Sequence, residues 1–402
     1  MLQMELNFDH RLDTDTLRKA LDSALDAEPI LGCRFAIEDG QAVWKRLEGE
    51  ERTNFREFYT TDEYREYRKK SLDAHMGPAL HGAVMHEAAG DRLLLKIAHE
   101  AADAGGAKDA AYLVALIYGN LRKDPLYMPH PNVTGSRELD QVMKRVPAYA
   151  VSRIWLNGFR DAFRLAWRRA SYNPLDSAAG NPEREYLMRD IPPERVSAVK
   201  DFGRRQNAKL NDVLLAAFLR SLSRSGWDRT TQLRCSTTVD LRRWYLPGCK
   251  AEAIANLSGL EFVNLGTDPG KSFEDTVRKV TSFTRRRKQN WIGLSHYPAI
   301  MRFGSGVRYD KLRIFFTKLQ EKDIKSRAIF PMFTNLGPIA PDRLRFDSPP
   351  VEARIMVPAG YPPFFGIGIS GYNGGLTVSA AAFPETREKV NAILDSMLAE
   401  LP

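Results

Sequence analysis

The hydrophobic pattern of this 402-residue chain predicts a mixed α/β protein built as two lobes, and three observations carry that prediction. First, one hydrophobic core rarely grows past about 250 to 300 residues, so the length calls for two units of about 150 to 200. Second, stretches of period-two hydrophobicity alternate with stretches of period 3.6 from end to end, without a fixed repeat. Third, Pro125, Pro129, Pro131, Pro147 and Pro174 interrupt the pattern between Arg122 and Asn181, where no strand is evident. The expected division is an N-terminal lobe at 1–147, a crossover at 148–180 and a C-terminal lobe at 181–402. Hydrophobic residues at 43% and charged residues at 27% supply ordinary cores and surfaces, which excludes wholesale disorder.

The elements follow in order. Leu2, Met4, Leu6 and Phe8 alternate as a half-buried strand; Leu17, Leu21 and Leu25 then recur at helical spacing behind Asp13 or Thr14 as a cap. Asp39-Gly40, between the apolar runs Ile30 to Ile37 and Ala42 to Trp44, marks a hairpin. Thr60 to His75 reads as a charged helix. Leu80 to Met85 and Leu93 to Ala98 read as strands joined by Ala89-Gly90-Asp91, and Ala107 to Leu121 as an apolar helix after Gly105-Gly106. In the crossover, Ile154, Trp155, Phe159, Phe163, Leu165 and Trp167 are interspersed with Arg153, Arg160, Arg164, Arg168 and Arg169. That composition suits a membrane surface or a helix packed between lobes; the second is favoured, because an amphipathic helix usually faces a core.

The second half reads as a strand at Glu185 to Met188 and helices at Pro192 to Gln206 and Leu210 to Leu222. Strands follow around Leu233 to Val239 and Leu257 to Leu265, then a charged helix at Lys271 to Lys288. Four strands (Phe330 to Thr334, Ala353 to Val357, Phe364 to Ile369, Leu376 to Ala381) and a helix at Glu385 to Leu398 close the chain. The longest uncharged stretch, Ile355 to Pro384, is punctuated by Pro358, Pro362, Pro363 and several glycines, so it reads as buried strands and not as a spanning helix.

The segment MLQMELNFDHRLD carries Glu5, Asp9 and His10 and lacks the basic start and apolar core of a secretion signal. Cys33, Cys235 and Cys249 are too few and too far apart for a disulfide framework or a CxxC knuckle. Both observations point to a reducing, cytoplasmic setting. Fifty-nine Lys and Arg against fifty Asp and Glu give a net charge of +9, which favours an anionic partner: a phosphate, a membrane or RNA. Nucleic-acid binding is disfavoured, because the excess is spread along the chain and no RNP, helix-turn-helix or zinc-finger signature is present.

Seven histidines are available (His10, His75, His81, His86, His99, His130 and His296), and His99 has the most promising company. It ends the apolar run Leu93 to Ala98 and opens a loop of small residues, Glu100-Ala101-Ala102-Asp103-Ala104-Gly105-Gly106, where an imidazole is reachable by ligands. Read as a helix, HExxD would put His99 and Asp103 on one face, but a metal site would need a histidine where Asp103 stands and a third ligand. There is no GxSxG elbow, no GxxxxGK[ST] loop and no GxGxxG opening a helix, so serine hydrolysis, nucleotide hydrolysis and dinucleotide redox chemistry lose support.

The order of several further segments carries a resemblance. Glu28-Pro29-Ile30-Leu31-Gly32-Cys33-Arg34-Phe35 and Pro78-Ala79-Leu80 precede Ala98-His99-Glu100-Ala101-Ala102-Asp103-Ala104. Leu210-Asn211-Asp212-Val213-Leu214-Leu215-Ala216-Ala217, Val239-Asp240-Leu241-Arg242-Arg243, Ala255-Asn256-Leu257-Ser258-Gly259 and Thr334-Asn335-Leu336-Gly337-Pro338 follow it. Taken in this order over nearly the whole chain, they resemble the HPILRxRF, HHxxxDG, TxNDVLLAA, VDLR, GN and SNxGP segments of the coenzyme-A-dependent acyltransferase superfamily. That superfamily includes chloramphenicol acetyltransferase, peptide-synthetase condensation domains, wax ester synthases and alcohol acetyltransferases. Three positions depart from it: Ala98 replaces the first histidine of the doublet, Ala104 replaces the motif glycine, and Leu31-Gly32 stands where Leu-Arg is common. Gly105 and Gly106 are expected to compensate by keeping the following backbone open.

The resemblance implies a chloramphenicol acetyltransferase-like fold in which each lobe is a mixed sheet with helices and the active-site channel runs between them. It implies His99 as general base, and Asp103 as a loop-organising residue held by an ion pair, for which Arg34 is the candidate partner. Asn335, or its neighbour Thr334, would be an oxyanion or channel polar group, with a plain turn held by Asn335 and Gly337 as the alternative. No bound cofactor is expected; acyl-CoA is the co-substrate and a small alcohol or amine the acceptor. An imidazole is neutral over much of the physiological range and can take the acceptor's proton as it attacks the thioester carbonyl. An acyl carrier protein as donor and a non-catalytic acyl-ligand or partner-binding homologue are the alternatives; peripheral membrane contact is not favoured. The basic cluster Arg285-Arg286-Arg287-Lys288 suits coenzyme A phosphates, an acidic carrier protein or a solvated helix end. Trp291, His296 and Tyr297 are left unassigned.

Overall fold

A computed structural model describes residues 1–166, 171–175, 183–245, 251–295, 297, 306–358, 360 and 362–402. In the first part, strand β1 (Leu2–Asn7) leads to helix α1 (Thr14–Ala27). Asp13 caps α1 by accepting from the Thr16 amide at 3.0 Å. Strands β2 (Cys33–Glu38) and β3 (Gln41–Arg46) form the expected hairpin, its turn made by Asp39 at φ 50 and Gly40 at φ 76. Then come β4 (Phe55–Phe58), α2 (Thr61–Lys69), β5 (Leu80–Glu87), β6 (Gly90–Ile97) and α3 (Ala104–Leu121), followed by α4 (Asp140–Met143) and α5 (Ala148–Ala166).

The second part runs β7 (Glu185–Ile191), α6 (Pro193–Arg205), α7 (Leu210–Arg224), β8 (Leu233–Asp240), β9 (Ser258–Gly266) and α8 (Phe273–Lys288). Helix α9 (Tyr309–Lys325), β10 (Met332–Pro338), β11 (Glu352–Met356), β12 (Gly366–Tyr372), β13 (Gly375–Ala382) and α10 (Arg387–Glu400) complete it. Among the described residues no helix is long and apolar enough to cross a membrane, and the uncharged stretch from Ile355 forms β11 to β13, as expected.

The class is mixed α/β, and the strands make two large sheets. The first has five strands in the order β11-β1-β6-β5-β4, the second six in the order β7-β13-β12-β10-β8-β9. On the first sheet, Leu17, Leu21 and Leu25 of α1 and Val114 and Tyr118 of α3 join Met4, Leu6 and Leu95 in one core. On the second, Leu215 and Phe218 of α7, Val277 of α8 and Ile393 of α10 pack on Cys235, Phe333 and Ile369. Period-two alternation explains the split: odd residues Leu233 and Cys235 of β8 enter that core, while Arg234, Ser236 and Thr238 face the other way.

A cut into 1–147 and 181–402 does not describe the sheets. Strand β11 belongs to the second half of the chain, yet it pairs antiparallel with β1, Met4 opposite Ile355, and completes the first sheet. Ile339, Leu344, Phe346 and Ile355 accordingly sit in the first core. The crossover helix α5 buries Ala150 and Ile154 against Leu241, Leu257 and Ile292, which is the packed reading. It leaves Tyr149, Leu156 and Phe159 exposed. The side chains of Phe163, Arg164 and Leu165, and Trp167, Arg168, Arg169, His296 and Cys249 altogether, lie outside the described residues.

Candidate active site

The end of β6 and the start of α3 place the two residues singled out by sequence. His99 follows the buried Ile97 and Ala98 and turns its ring back on its own loop, so that Nδ1 lies 3.0 Å from the Ala102 carbonyl. A carbonyl only accepts, so Nδ1 carries the proton and the lone pair of the neutral ring is on Nε2. From the segment that leads into β9, Asn256 donates through Nδ2 to the His99 carbonyl at 2.9 Å, which fixes the backbone of the base as well as its ring.

Asp103 is 4% exposed and accepts three bonds. Its Oδ1 accepts from the Gly106 amide at 2.8 Å, making it the N-cap of α3. Its Oδ2 accepts from Arg242 Nη1 at 2.8 Å and from the Leu257 amide at 2.9 Å. The carboxylate therefore ties the His99 loop to the second sheet, and it does so through Arg242 of the VDLR-like segment. Arg34 is not that partner: it lies on the β2–β3 hairpin and meets Glu51 at 3.6 Å. Burial works against the charge of Arg242, but Asp103 and then Asp240 outweigh it and hold the guanidinium pKa above its ordinary range. Arg242 also donates to the Ala255 carbonyl at 3.1 Å.

The two glycines after Ala104 serve a close approach of the second half of the chain. A Cβ on Gly105 would stand 2.6 Å from Arg242 Nη1, and one on Gly106 would stand 2.8 Å from the Ala255 carbonyl. Their bareness lets the second sheet's segments dock on the first turn of α3.

His99, Asp103, Ala104, Gly105 and Lys108 line a cavity of about 220 Å³ whose opposite wall comes from the second sheet: Thr238, Asp240, Ser258, Met332, Thr334 and Asn335. Lys108 donates to the Leu336 carbonyl at 2.9 Å and the Pro338 carbonyl at 3.2 Å; burial lowers its pKa. Asn335 reaches the cavity but is otherwise exposed. Its Nδ2 donates to Asn211 Oδ1 at 3.0 Å, and its Oδ1 accepts from the Gly337 amide at 3.0 Å, where Gly337 takes φ 74. It holds the turn and keeps one amide hydrogen for a ligand. Thr334 is 7% exposed and hydrogen-bonds through its hydroxyl to that of Thr238. In such a pair one O–H is consumed and the other remains to donate. Sequence reading missed Thr238; its place two residues before Asp240, on the same face of a strand, was the available signal.

Three members of the cluster Arg285 to Lys288 have partners within the protein, and Arg286 is exposed. Arg287 is buried between Asp161 at 2.6 Å and Glu261 at 2.8 Å, Arg285 donates to the Asn207 carbonyl at 3.1 Å, and Lys288 lies 3.9 Å from Asp212. Trp291 packs on Trp244 at 4.6 Å and Tyr297 is buried. Among the described residues there is no group of three or more His, Cys, Asp or Glu able to hold a metal ion.

No family model and no curated protein matches the sequence. Solved structures do. The first condensation domain of the calcium-dependent antibiotic synthetase, in complex with a substrate analogue, superimposes with a TM-score of 0.72 at 17% identity over 100% of this chain and 89% of that one. Polyketide synthase associated protein 5 from Mycobacterium tuberculosis gives 0.68 at 15% identity over 98% and 93%. The epimerization domain from the third module of tyrocidine synthetase B gives 0.66 at 15% over 100% and 91%. The chain thus has the two-lobed, chloramphenicol acetyltransferase-like fold of condensation domains.

Proposed function

We propose that the protein is an acyltransferase that moves an acyl group from a thioester to an alcohol or amine by direct, His99-assisted attack. The observation that carries this reading is the imidazole of His99, held by the Ala102 carbonyl in the tautomer whose Nε2 is basic and placed on the wall of a cavity between the two sheets. Nε2 takes the proton of the acceptor as its oxygen or nitrogen bonds to the thioester carbonyl carbon. The carbonyl electron pair moves onto oxygen, giving a tetrahedral oxyanion. Collapse restores the C=O and breaks the C–S bond, and the imidazolium returns its proton to the departing thiolate. The free O–H of the Thr238–Thr334 pair, with the second amide hydrogen of Asn335, is suited to receive the oxyanion. Asp103 is a positioning residue that keeps the loop of the base on the second sheet.

The donor is acyl-CoA in this reading. A carrier-protein thioester is the second reading, favoured by the likeness to condensation domains. The test is thiol release from acyl-CoA donors mixed with alcohols and amines, with loaded carrier protein as a parallel arm. Acceptor-dependent release that falls by about 10²- to 10⁴-fold in His99→Ala is expected; full activity in that variant would overturn the mechanism.

A further inference from the structure

We propose that the exposed face of helix α5 is a docking surface for an anionic lipid bilayer. The helix is fixed by one side only. Ala150 and Ile154 pack on Leu241, Leu257 and Ile292, Asn157 donates to the Asn290 carbonyl at 3.2 Å, and Asp161 pairs with Arg287 at 2.6 Å. These four positions follow at spacings of four, three and four, which is one stripe of a helix. The opposite stripe stands in solvent: Tyr149 is 69% exposed, Leu156 49% and Phe159 66%. Trp155, half-buried, stacks on Phe159 at 6.0 Å and widens the patch. Two polar side chains thus lie inward while two aromatic rings and a leucine face out, against the order that water alone favours.

The charges on this face are of one sign. Arg153 and Arg160 share the stripe of Tyr149 and Leu156, the three residues standing four, seven and eleven positions after Tyr149. Both arginines are exposed, and among the described residues neither has an ion-pair partner. No Asp or Glu occurs from Ala148 to Arg160. The occupant must therefore meet two features together, apolar side chains projecting from a convex helix and unpaired cations among them. A bilayer with anionic headgroups meets both: the rings and Leu156 reach the acyl boundary, and each guanidinium, on its flexible stem, stays with the phosphates. Helix α9 also exposes Ile314, Phe315 and Phe316, but Asp310 and Glu321 stand among its lysines, so its face is of mixed sign and serves as the comparison. None of these residues lines the His99 cavity, so the contact stands apart from the acyl-transfer reading.

The test is cosedimentation of the full chain with vesicles of phosphatidylcholine alone and of phosphatidylcholine and phosphatidylglycerol in equal parts. Each Arg near an anionic surface strengthens binding roughly fivefold, so the two give an expected preference of at least about tenfold for the mixed vesicles, fading as salt is raised. Leu156→Gln with Phe159→Gln, and Arg153→Gln with Arg160→Gln, should each lower binding about tenfold or more while circular dichroism stays unchanged. Arg153→Lys with Arg160→Lys should retain it, and so should Ile314→Gln with Phe315→Gln. Equal binding to both vesicles, or binding to neither, overturns the proposal. Full binding in both α5 pairs, or a loss confined to the α9 pair, overturns it as well. Retention on poly-L-glutamate without retention on the mixed vesicles assigns the face to an acidic polypeptide and rules out the lipid.

Discussion

At the scale of single residues, Asp103 joins more of the molecule than its length suggests. One carboxylate caps α3, neutralises a buried guanidinium and pins the Leu257 amide. Its replacement by Ala removes a cap of about 1 kcal/mol and the shorter of the two carboxylate contacts of Arg242, a charged hydrogen bond of about 1.5 to 3 kcal/mol, with Asp240 left at 3.2 Å. Asp103→Ala is therefore expected to lower both the melting temperature and the rate, whereas His99→Ala lowers the rate with little change in melting, as thermal scans beside the thiol assay will show. Thr334→Val keeps the shape and removes the hydroxyl; a fall of about 10²- to 10³-fold in kcat is expected. His99 and Asp103 were legible in the sequence because strand end, loop and spacing are local. The partner of Asp103 was not, because Arg242 lies 139 positions away and is brought to it only by the docking of the two sheets.

At the scale of elements, two close fits make sharp expectations. Gly106→Ala drives a methyl group against the Ala255 carbonyl, so the first turn of α3 and the second sheet must part; a loss of about 1 to 3 kcal/mol is expected in denaturant melts. On the first sheet, His81 pairs in register with Lys96 on the next strand. Burial, with Lys96 and Arg56 close by, lowers the His81 pKa to about 4. The unfolded chain then binds this proton from about pH 6.5 downward and the folded one does not until about pH 4, so the contribution is lost as pH falls through that window. Melting temperatures of His81→Gln should fall less steeply between pH 6.5 and 4 than those of the native chain. Most elements were legible from period alone, within a few residues at their ends. Strand β4 escaped because four edge residues are too short for a pattern. Helix α9 was not read, although Leu312, Phe315, Phe316 and Leu319 recur at helical spacing in it; charged residues surround them and none of its residues is buried.

At the scale of the whole molecule, the exchange of β11 makes the two sheets one folding unit. Residues 1–166 alone lack the strand that flanks β1 and the apolar residues Ile339, Phe346 and Ile355 of the first core. That fragment is expected to remain unfolded by circular dichroism, and the full chain to melt in a single transition with coincident near- and far-ultraviolet signals. Two lobes were legible from length and from the proline-rich interruption; their interleaving was not, since a strand's own pattern does not name its neighbour. The same exchange governs how the chain emerges from the ribosome. Strand β6 ends at Ile97 and β11 at Met356, and at about 5 to 20 residues per second the first sheet waits roughly 13 to 50 s for its last strand. During that interval β1 offers an unpaired edge with Met4 and Leu6 beside it, and nascent-chain chaperones have their longest hold on the protein there.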